Sequence, residues 1–560
     1  MFQEPPHLGN QWREDRTLQA LLRRVIPADV LREMEPSLER MGALAAGELL
    51  DLAIANRHNE PVHVPYDAWG QRVDEVRINP AWQEYARVAA REGLVATGYE
   101  RKHGAYSRLH QFALVYLFDR SSQVYSCPLA MTDGCARTLE VLAAPELRER
   151  VLPRLLSRDP DAAWTSGQWM TERAGGSDVG LTETIAREED GTWRLHGVKW
   201  FTSAVTSQVA LTLARPEGNG PGGKGLALFF VELRDAAGRL QGITVNRLKE
   251  KLGTKFVPTA ELTLEGTPAI PLAGLADGVR QMATMLNLTR TWNSVCSAAS
   301  VRRGLAFARD YARRRVAFGT PLSEKPLHLD TLAALAAEQE AALQLAFHAV
   351  ALLGREEADQ LDDAGRATLR LLQPIAKLTT ARMAVACASE VLESFGGAGY
   401  VEDTGLPELL RDSQVLSIWE GTTNVLALEA ARAIRRADAL APYVAEITAH
   451  AGLARHPMLS EPARVACAAA EHAAEWWAGA HLGPEAFEAE LRRFALTLGR
   501  SMALALLVAQ AQWAIDTDGD ARSATAARRF AASGVDLLRD AGEVPRATAA
   551  LALDEALAPD

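Results

Sequence analysis

The strongest constraint on this chain's fold is a change of texture part-way along it. Over residues 164–276 the sequence breaks into short runs rich in β-branched and aromatic residues, TWRLHGVKWFTS, VALTLAR, GLALFFVEL, GITVNRL and TAELTLEG, separated by Gly, Asp and Asn. No amphipathic helical stretch lies between them, so they predict an antiparallel sheet or barrel of about a hundred residues. On both sides apolar residues recur at helical spacing: over 17–26, 28–56, 80–97 and 107–118 before the break, and over 280–315, 327–355, 365–392 and 420–437 after it. The four later segments, joined by short connections, read as a bundle. Around 59–79, Pro61, Pro65, Gly70 and Pro80 interrupt the helical pattern and mark an ordered loop or short hairpin.

With 560 residues, the chain has material for three or four domains at about 150 residues each. The expected division is a helical segment at 1–163, a β domain at 164–277, a helix bundle at 278–436 and a further helical domain at 437–560. The fold class is therefore α+β and mostly helical. Residues 437–560 carry ten Arg and no Lys against seventeen acidic residues, which places −7 of the chain's net −11 there. The 48% hydrophobic and 23% charged content argues against wholesale disorder and a membrane protein, and the acidic balance against a generic polyanion binder.

Five scattered cysteines without a CxxC fit a reduced compartment. The opening MFQEPPHLGNQWREDRT has no basic leader followed by an apolar core, so a cytosolic location is expected. The apolar stretch 501–515 contains Gln510 and Gln512 and is short of the roughly 18 to 20 residues of a membrane span, so it reads as a buried helix.

Several motifs are excluded by context. Gly218–Gly225 satisfies GxGxxG, but a strand-like run follows where a phosphate loop needs a helix, and Gly225 stands where that loop needs Ser or Thr. A hairpin connection is the better reading. There is no HExxH, no Cys/His metal spacing and no GxSxG, so hydrolase and metal chemistry are not expected.

The informative segments are Met170-Thr171-Glu172-Arg173-Ala174-Gly175-Gly176-Ser177-Asp178, whose small residues and hydroxyls let backbone donors approach a ligand, and Lys199-Trp200-Phe201-Thr202-Ser203, where strand alternation sets Trp200 and Thr202 on one face. Downstream lie ESFGGAGY at 393–400, Arg411-Asp412, and Ile418-Trp419-Glu420-Gly421-Thr422-Thr423-Asn424 at a helix start.

Taken together, MTERAGGSDVG, KWFTS, RRRVAFGTPL, ESFGGAGY and RDSQVLSIWEGTTN, in this order and spacing, closely resemble the acyl-CoA dehydrogenase flavoprotein family over about residues 80–435. The loop YDAWGQRVDEVRINPAW, the segment SCPLAMT and the helical extension resemble its AidB branch, and GNQWREDRTLQALLRRVIP looks closer to that branch's long-chain acyl-CoA dehydrogenases. The resemblance implies a helical N-terminal domain, a central antiparallel β-barrel, a C-terminal four-helix bundle and an appended helical domain.

It also implies an FAD site. Met170, Thr171 and Gly176 would meet the flavin's pyrimidine side, Ser177 the pyrophosphate, Trp200 the ring system and Thr202 its N5. Arg315, Phe318, Gly396 and Gly397 would hold the ADP half of a neighbouring subunit's FAD, with Thr422 and Asn424 completing the site in a homotetramer. Glu393 departs from the pattern, which often has Gln there. Glu420 falls at the base position, with Arg290 and Gly421 on the substrate side; the alternative base position of minority branches is Thr289 here. The implied reaction removes the α-proton of a medium, long or branched acyl-CoA and passes the β-hydrogen to the flavin, giving a trans-2-enoyl-CoA, with electron-transfer flavoprotein as acceptor. The alternative is an AidB-type DNA-protecting flavoprotein. The extension's −7 without a lysine is poor material for phosphate contacts and disfavours it.

Overall fold

The computed structural model describes residues 4–479, 483–539 and 545–558. The N-terminal part is helical: α1 (Arg16–Val25), α2 (Ala28–Ala46), α3 (Glu48–Ala55), α4 (Pro80–Arg91), α5 (Ser107–Phe118), α6 (Ser126–Leu142) and α7 (Pro145–Leu155). Two helical segments expected as continuous are shorter. The run over 28–56 breaks at Gly47, whose ψ of −104° leaves the helical region, and the run over 80–97 stops before Gly93, whose φ is +67°. The interruption after α3 is a hairpin of β1 (Val62–Tyr66) and β2 (Arg72–Arg77). Asp74 Oδ1 meets His63 Nε2 at 2.8 Å, and its Oδ2 accepts Arg72 Nε at 2.8 Å and the backbone N–H of Val245 at 3.2 Å, which docks the hairpin on the β domain.

That domain is a seven-stranded sheet among the described residues. It comprises β3 (Ser166–Trp169), β4 (Ile185–Glu189), β5 (Thr192–Thr202), β6 (Val209–Pro216), β7 (Ala227–Glu232), β8 (Ile243–Leu248) and β9 (Ala260–Pro271). The ring β6–β4–β5–β9–β7–β6 closes on itself, a barrel around Trp169, Leu195, Phe229, Val231 and Leu262. The expected antiparallel barrel needs one correction: β3 and β4 both run parallel to β6. Neither is joined to β6 by a direct hairpin, because β4 and β5 lie between β3 and β6 in the chain and β5 between β4 and β6, which removes the antiparallel constraint. Gly218–Gly225 joins the antiparallel pair β6 and β7, as a hairpin connection should.

The bundle follows: α8 (Ala283–Arg314), the two-residue strands β10 (Val316–Ala317) and β11 (Thr320–Pro321), α9 (Pro326–Glu357), α10 (Asp363–Ser394), α11 (Leu406–Leu416) and α12 (Thr423–Ala437). The last helix begins three residues later than expected. Glu420 and Gly421 have φ of +57° and +105°, outside the right-handed helical region, so Thr422 is the N-cap. A buried polar network ties bundle to N-terminal helices: Arg108 on α5 meets Asp133 on α6 at 3.0 Å and Glu357 on α9 at 2.7 Å, and Trp292 on α8 donates its indole N–H to Asp133. Asp15 caps α1 and pairs with Arg302 on α8 at 2.9 Å. Burial drives the Asp15 carboxyl up, but Arg302 and hydrogen bonds from Thr17, Leu18 and Tyr116 leave it below the usual range.

The extension adds α13 (Leu440–Ala451), α14 (Ser460–Ala478), α15 (Pro484–Asp518) and α16 (Arg522–Ala532). The apolar stretch belongs to the 35-residue α15, packed between α9 and α10 on one side and the other extension helices on the other. Its most apolar window is long enough to cross a membrane but is 89% buried within the protein, as befits a core helix.

Candidate active site at the barrel–bundle junction

The turn between α11 and α12 carries Glu420 in a left-handed conformation that non-glycine residues adopt rarely, at a cost of about 1–3 kcal/mol. Three neighbours hold it. Thr289 on α8 donates its hydroxyl to Glu420 Oε2 at 2.7 Å, Arg290 Nε reaches the Glu420 carbonyl at 3.3 Å, and Lys377 on α10 donates Nζ to the Gly421 carbonyl at 2.6 Å. From the barrel, Gln168 on β3 turns its amide N–H toward the carboxylate, 3.3 Å from Oε1. Glu420 thus stands where barrel and bundle meet.

Arg290, expected on the substrate side, is buried, and its two terminal nitrogens are engaged by Glu429 at 2.6 and 2.8 Å. Only its Nε serves the Glu420 turn. Gly421, with φ of +105°, occupies a conformation that a side chain would strain. Burial forces the Lys377 ammonium down to about 7, Glu420 pulling it back up and Arg290 pushing it further down. Close by, burial raises the Cys127 thiol to about 12 and lowers Lys251 to about 8.

The segment expected to meet a flavin leads directly from β3. Buried Glu172 anchors it, accepting from Lys199 Nζ at 2.6 Å and from the Glu183 N–H at 2.6 Å, while the backbone N–H of Trp200 donates to the Thr171 carbonyl at 2.9 Å. Beyond that anchor Gly175, Gly176 and Ser177 are exposed, and Met170 and Thr171 are half-buried. A Cβ on Gly176 would stand 2.6 Å from the Thr171 hydroxyl, so glycine keeps that hydroxyl in place. Trp200 is half-buried, with Lys249 Nζ 3.5 Å from its ring centroid.

Plain alternation does not carry through to Thr202. The β5–β9 register shifts between Lys199 and Thr202, and Thr202 is fully buried with its hydroxyl donated to the Ala260 carbonyl at 2.8 Å. Its oxygen lone pairs remain as acceptors. Two buried polar atoms near the junction lack a protein partner, Gln168 Oε1 and Trp419 Nε1. With the open glycine backbone, they make a donor and acceptor set that fits a flavin ring.

The remaining expected cofactor residues lie on the outside of this chain. Phe318 is 98% exposed at the turn between β10 and β11, Arg315 is half-buried, and Gly396 and Gly397 are exposed in the turn after α10. Thr422 and Asn424 are exposed at the start of α12, and Arg492 of α15 donates to Asn424 Oδ1 at 3.0 Å. Two surfaces are thus presented: the inner junction around Glu420 and Trp200, and an outer rim around Phe318 and Gly396.

Three family models match this chain. Residues 3–162 match the adaptive response protein AidB N-terminal domain, 167–267 the acyl-CoA dehydrogenase middle domain and 276–435 the acyl-CoA dehydrogenase C-terminal domain. Acyl-CoA dehydrogenase family member 11 of Caenorhabditis elegans is 44% identical over 440 residues, covering 77% of this chain and 71% of that protein. The chain belongs to the acyl-CoA dehydrogenase family. Its members include the putative acyl-CoA dehydrogenase AidB of Escherichia coli, 32% identical over 405 residues and covering 70% of this chain and 72% of that one. The crystal structure of C. elegans ACDH-11 in complex with C11-CoA aligns with a TM-score of 0.95 at 37% identity, covering 99% and 97% of the two chains. An acyl-CoA dehydrogenase from Bacillus anthracis, solved with FAD, shares the fold at a TM-score of 0.71 and 17% identity, covering 95% and 90%. The family resemblance, its AidB branch and the greater likeness to C. elegans family member 11 than to AidB itself are therefore established for this family member.

Sequence reasoning missed Gln168, Lys377 and Arg492 at this site. A lysine in the largely apolar run LLQPIAKL was a legible signal for Lys377, since a buried charge needs a partner. Gln168 and Arg492 carried none, because their contacts join residues 252 and 68 positions apart.

Proposed function

We propose that this family member is an FAD-dependent acyl-CoA dehydrogenase acting on medium, long or branched acyl chains, with Glu420 as the base. The observation that carries the reading is the strained Glu420 turn: a carboxylate oriented by Thr289 and Gln168 at the junction where the exposed glycine segment and Trp200 also lie. An α-proton beside a thioester is too weakly acidic for a water-exposed carboxylate, so the site must exclude water and stabilise the enolate that forms. Backbone N–H groups of the 420–421 turn suit that second task. Lys377 and Arg290 hold the turn's carbonyls and so keep the carboxylate aimed; Arg290 is a positioning residue in this reading. FAD, when bound, supplies the acceptor for the β-hydrogen.

Met170, Thr171, Gly176, Ser177, Trp200 and Thr202 would hold the flavin end, and Thr422 and Asn424 its continuation at the start of α12. The outer rim of Arg315, Phe318, Gly396 and Gly397 would serve a neighbouring subunit's ADP half, which makes a homotetramer part of the proposal. Electron-transfer flavoprotein is the proposed acceptor, and the divisions at 163, 277 and 436 the proposed domain limits. The acidic extension continues to disfavour duplex DNA as a ligand.

The test is Glu420→Gln, purified with its flavin. Flavin content should match the wild type, while anaerobic bleaching by a panel of acyl-CoA chain lengths should slow by at least about 10³-fold, the upper part of the range for a lost general base. Bleaching at the wild-type rate would refute Glu420 as the base.

A further inference from the structure

A second cluster of ionisable side chains lies away from Glu420, where the bundle meets the extension. His348 on α9 faces Glu446 and His450, which stand one helical turn apart on α13 and so share a face. His348 Nε2 is 2.9 Å from Glu446 Oε1, and His450 Nε2 is 3.8 Å from the same oxygen. One ligand atom from each residue lies within 4.8 Å of the others. The two imidazoles are perpendicular, with centroids 5.3 Å apart.

The cluster is poorly explained as hydrogen bonding alone. His348 Nε2 is buried and, despite its short approach to Glu446, has no partner in hydrogen-bond alignment. Two imidazoles and a carboxylate converging from two rigid helices are what a small hard-to-borderline cation requires.

We propose that His348, Glu446 and His450 form a site for one divalent first-row transition-metal cation, best matched to Zn2+, that clips the extension to the bundle. A His2Glu set with nitrogen and oxygen donors suits Zn2+, and the partial exposure of all three side chains leaves room for a water at the fourth position. Sequence spacing alone could not show it, because the Glu446–His450 pair lacks its third ligand until the fold brings α9 alongside. The proposal is independent of the dehydrogenase reading and predicts no change in flavin reduction.

The full chain, stripped with a chelator and dialysed, would be titrated with ZnCl2 against a chromogenic competitor, and its melting temperature followed with and without the metal. One equivalent per chain should bind, and the melting temperature should rise on binding. His450→Gln, at a partly exposed position, should melt like the wild type without metal, weaken Zn2+ binding by at least about a hundredfold and lose the metal-dependent rise. Glu446→Gln should weaken binding similarly and guards against a folding defect in any one variant. Absence of a stoichiometric site in the wild type, or unchanged Zn2+ affinity in both variants, would overturn the proposal.

Discussion

Lys377 is the side chain whose behaviour most directly reports on the chemistry around Glu420. It is wholly buried and held down to about 7 by that burial, against the attraction of the Glu420 carboxylate. Below pH 7 it is a cation whose attraction for the Glu420 carboxylate is given up when that carboxylate takes the proton, which slows abstraction; above pH 7 that effect fades. Proton abstraction should therefore rise through pH 7 in the wild type. In Lys377→Met, which keeps the volume, this inflection should disappear and the rate should fall by about tenfold through loss of the bond to the Gly421 carbonyl. Single-turnover flavin reduction across pH 6 to 9 checks both, and an inflection surviving in the variant would remove Lys377 from the account. Stability has its own sign. The native value lies below the unfolded value of about 10.4, so the unfolded chain binds more protons between about 7 and 10.4. Over that window wild-type stability should climb with pH relative to Lys377→Met, and below it the burial penalty should be fully present, as denaturant titrations at three pH values would show.

At the scale of elements, the extension is built into the core. Gly499 of α15 lies against Thr379 of α10 so closely that an added Cβ would collide with the threonine hydroxyl and press on Ile375. Gly499→Ala should gain about 1 kcal/mol in helix propensity yet be destabilising overall by about 1–2 kcal/mol through overpacking. Adding Thr379→Ala should recover most of the loss, a non-additivity measurable by a double-mutant cycle in urea; additive losses would mean the helices part rather than clash. The same elements show what sequence could reveal. Long helices such as α9 and α10 were legible because their apolar spacing is uninterrupted, and the barrel because its runs have period two. The start of α12 was misplaced because nothing in EGTTN signals a positive φ at a glutamate, a conformation imposed by Thr289, Arg290 and Lys377 from distant helices. The parallel pairings of β6 were hidden for the same reason: direction in a sheet is fixed by where connections run, and residue type says little about that. At the site, the ordered motifs located Glu420, Trp200 and the glycine segment, whereas Gln168 became visible only when β3 was placed against the bundle.

For the whole molecule, the decisive asymmetry is between the two surfaces to which the proposed function assigns the flavin. The inner junction lies between barrel and bundle, whereas Phe318 and Tyr400 on the outer rim are 98% and 91% exposed. Phe318 also has a φ of +50°, so the chain holds a large aromatic in a left-handed turn and directs it into solvent. Neither feature helps a lone chain: exposure forgoes about 1.5–3 kcal/mol of burial, and the backbone carries strain. A second copy covering this rim, with its FAD reaching across, makes both features productive and agrees with the proposed tetramer. Phe318→Asp tests it without disturbing any core, since the side chain packs on little within its own chain. The variant should keep the wild-type circular dichroism spectrum, sediment as a smaller species and bind FAD at least about tenfold more weakly. If its mass and flavin affinity are those of the wild type, Phe318 lies outside the subunit interface and the shared-site reading fails. If mass falls while flavin affinity holds, each chain completes its own site and the tetramer has another purpose.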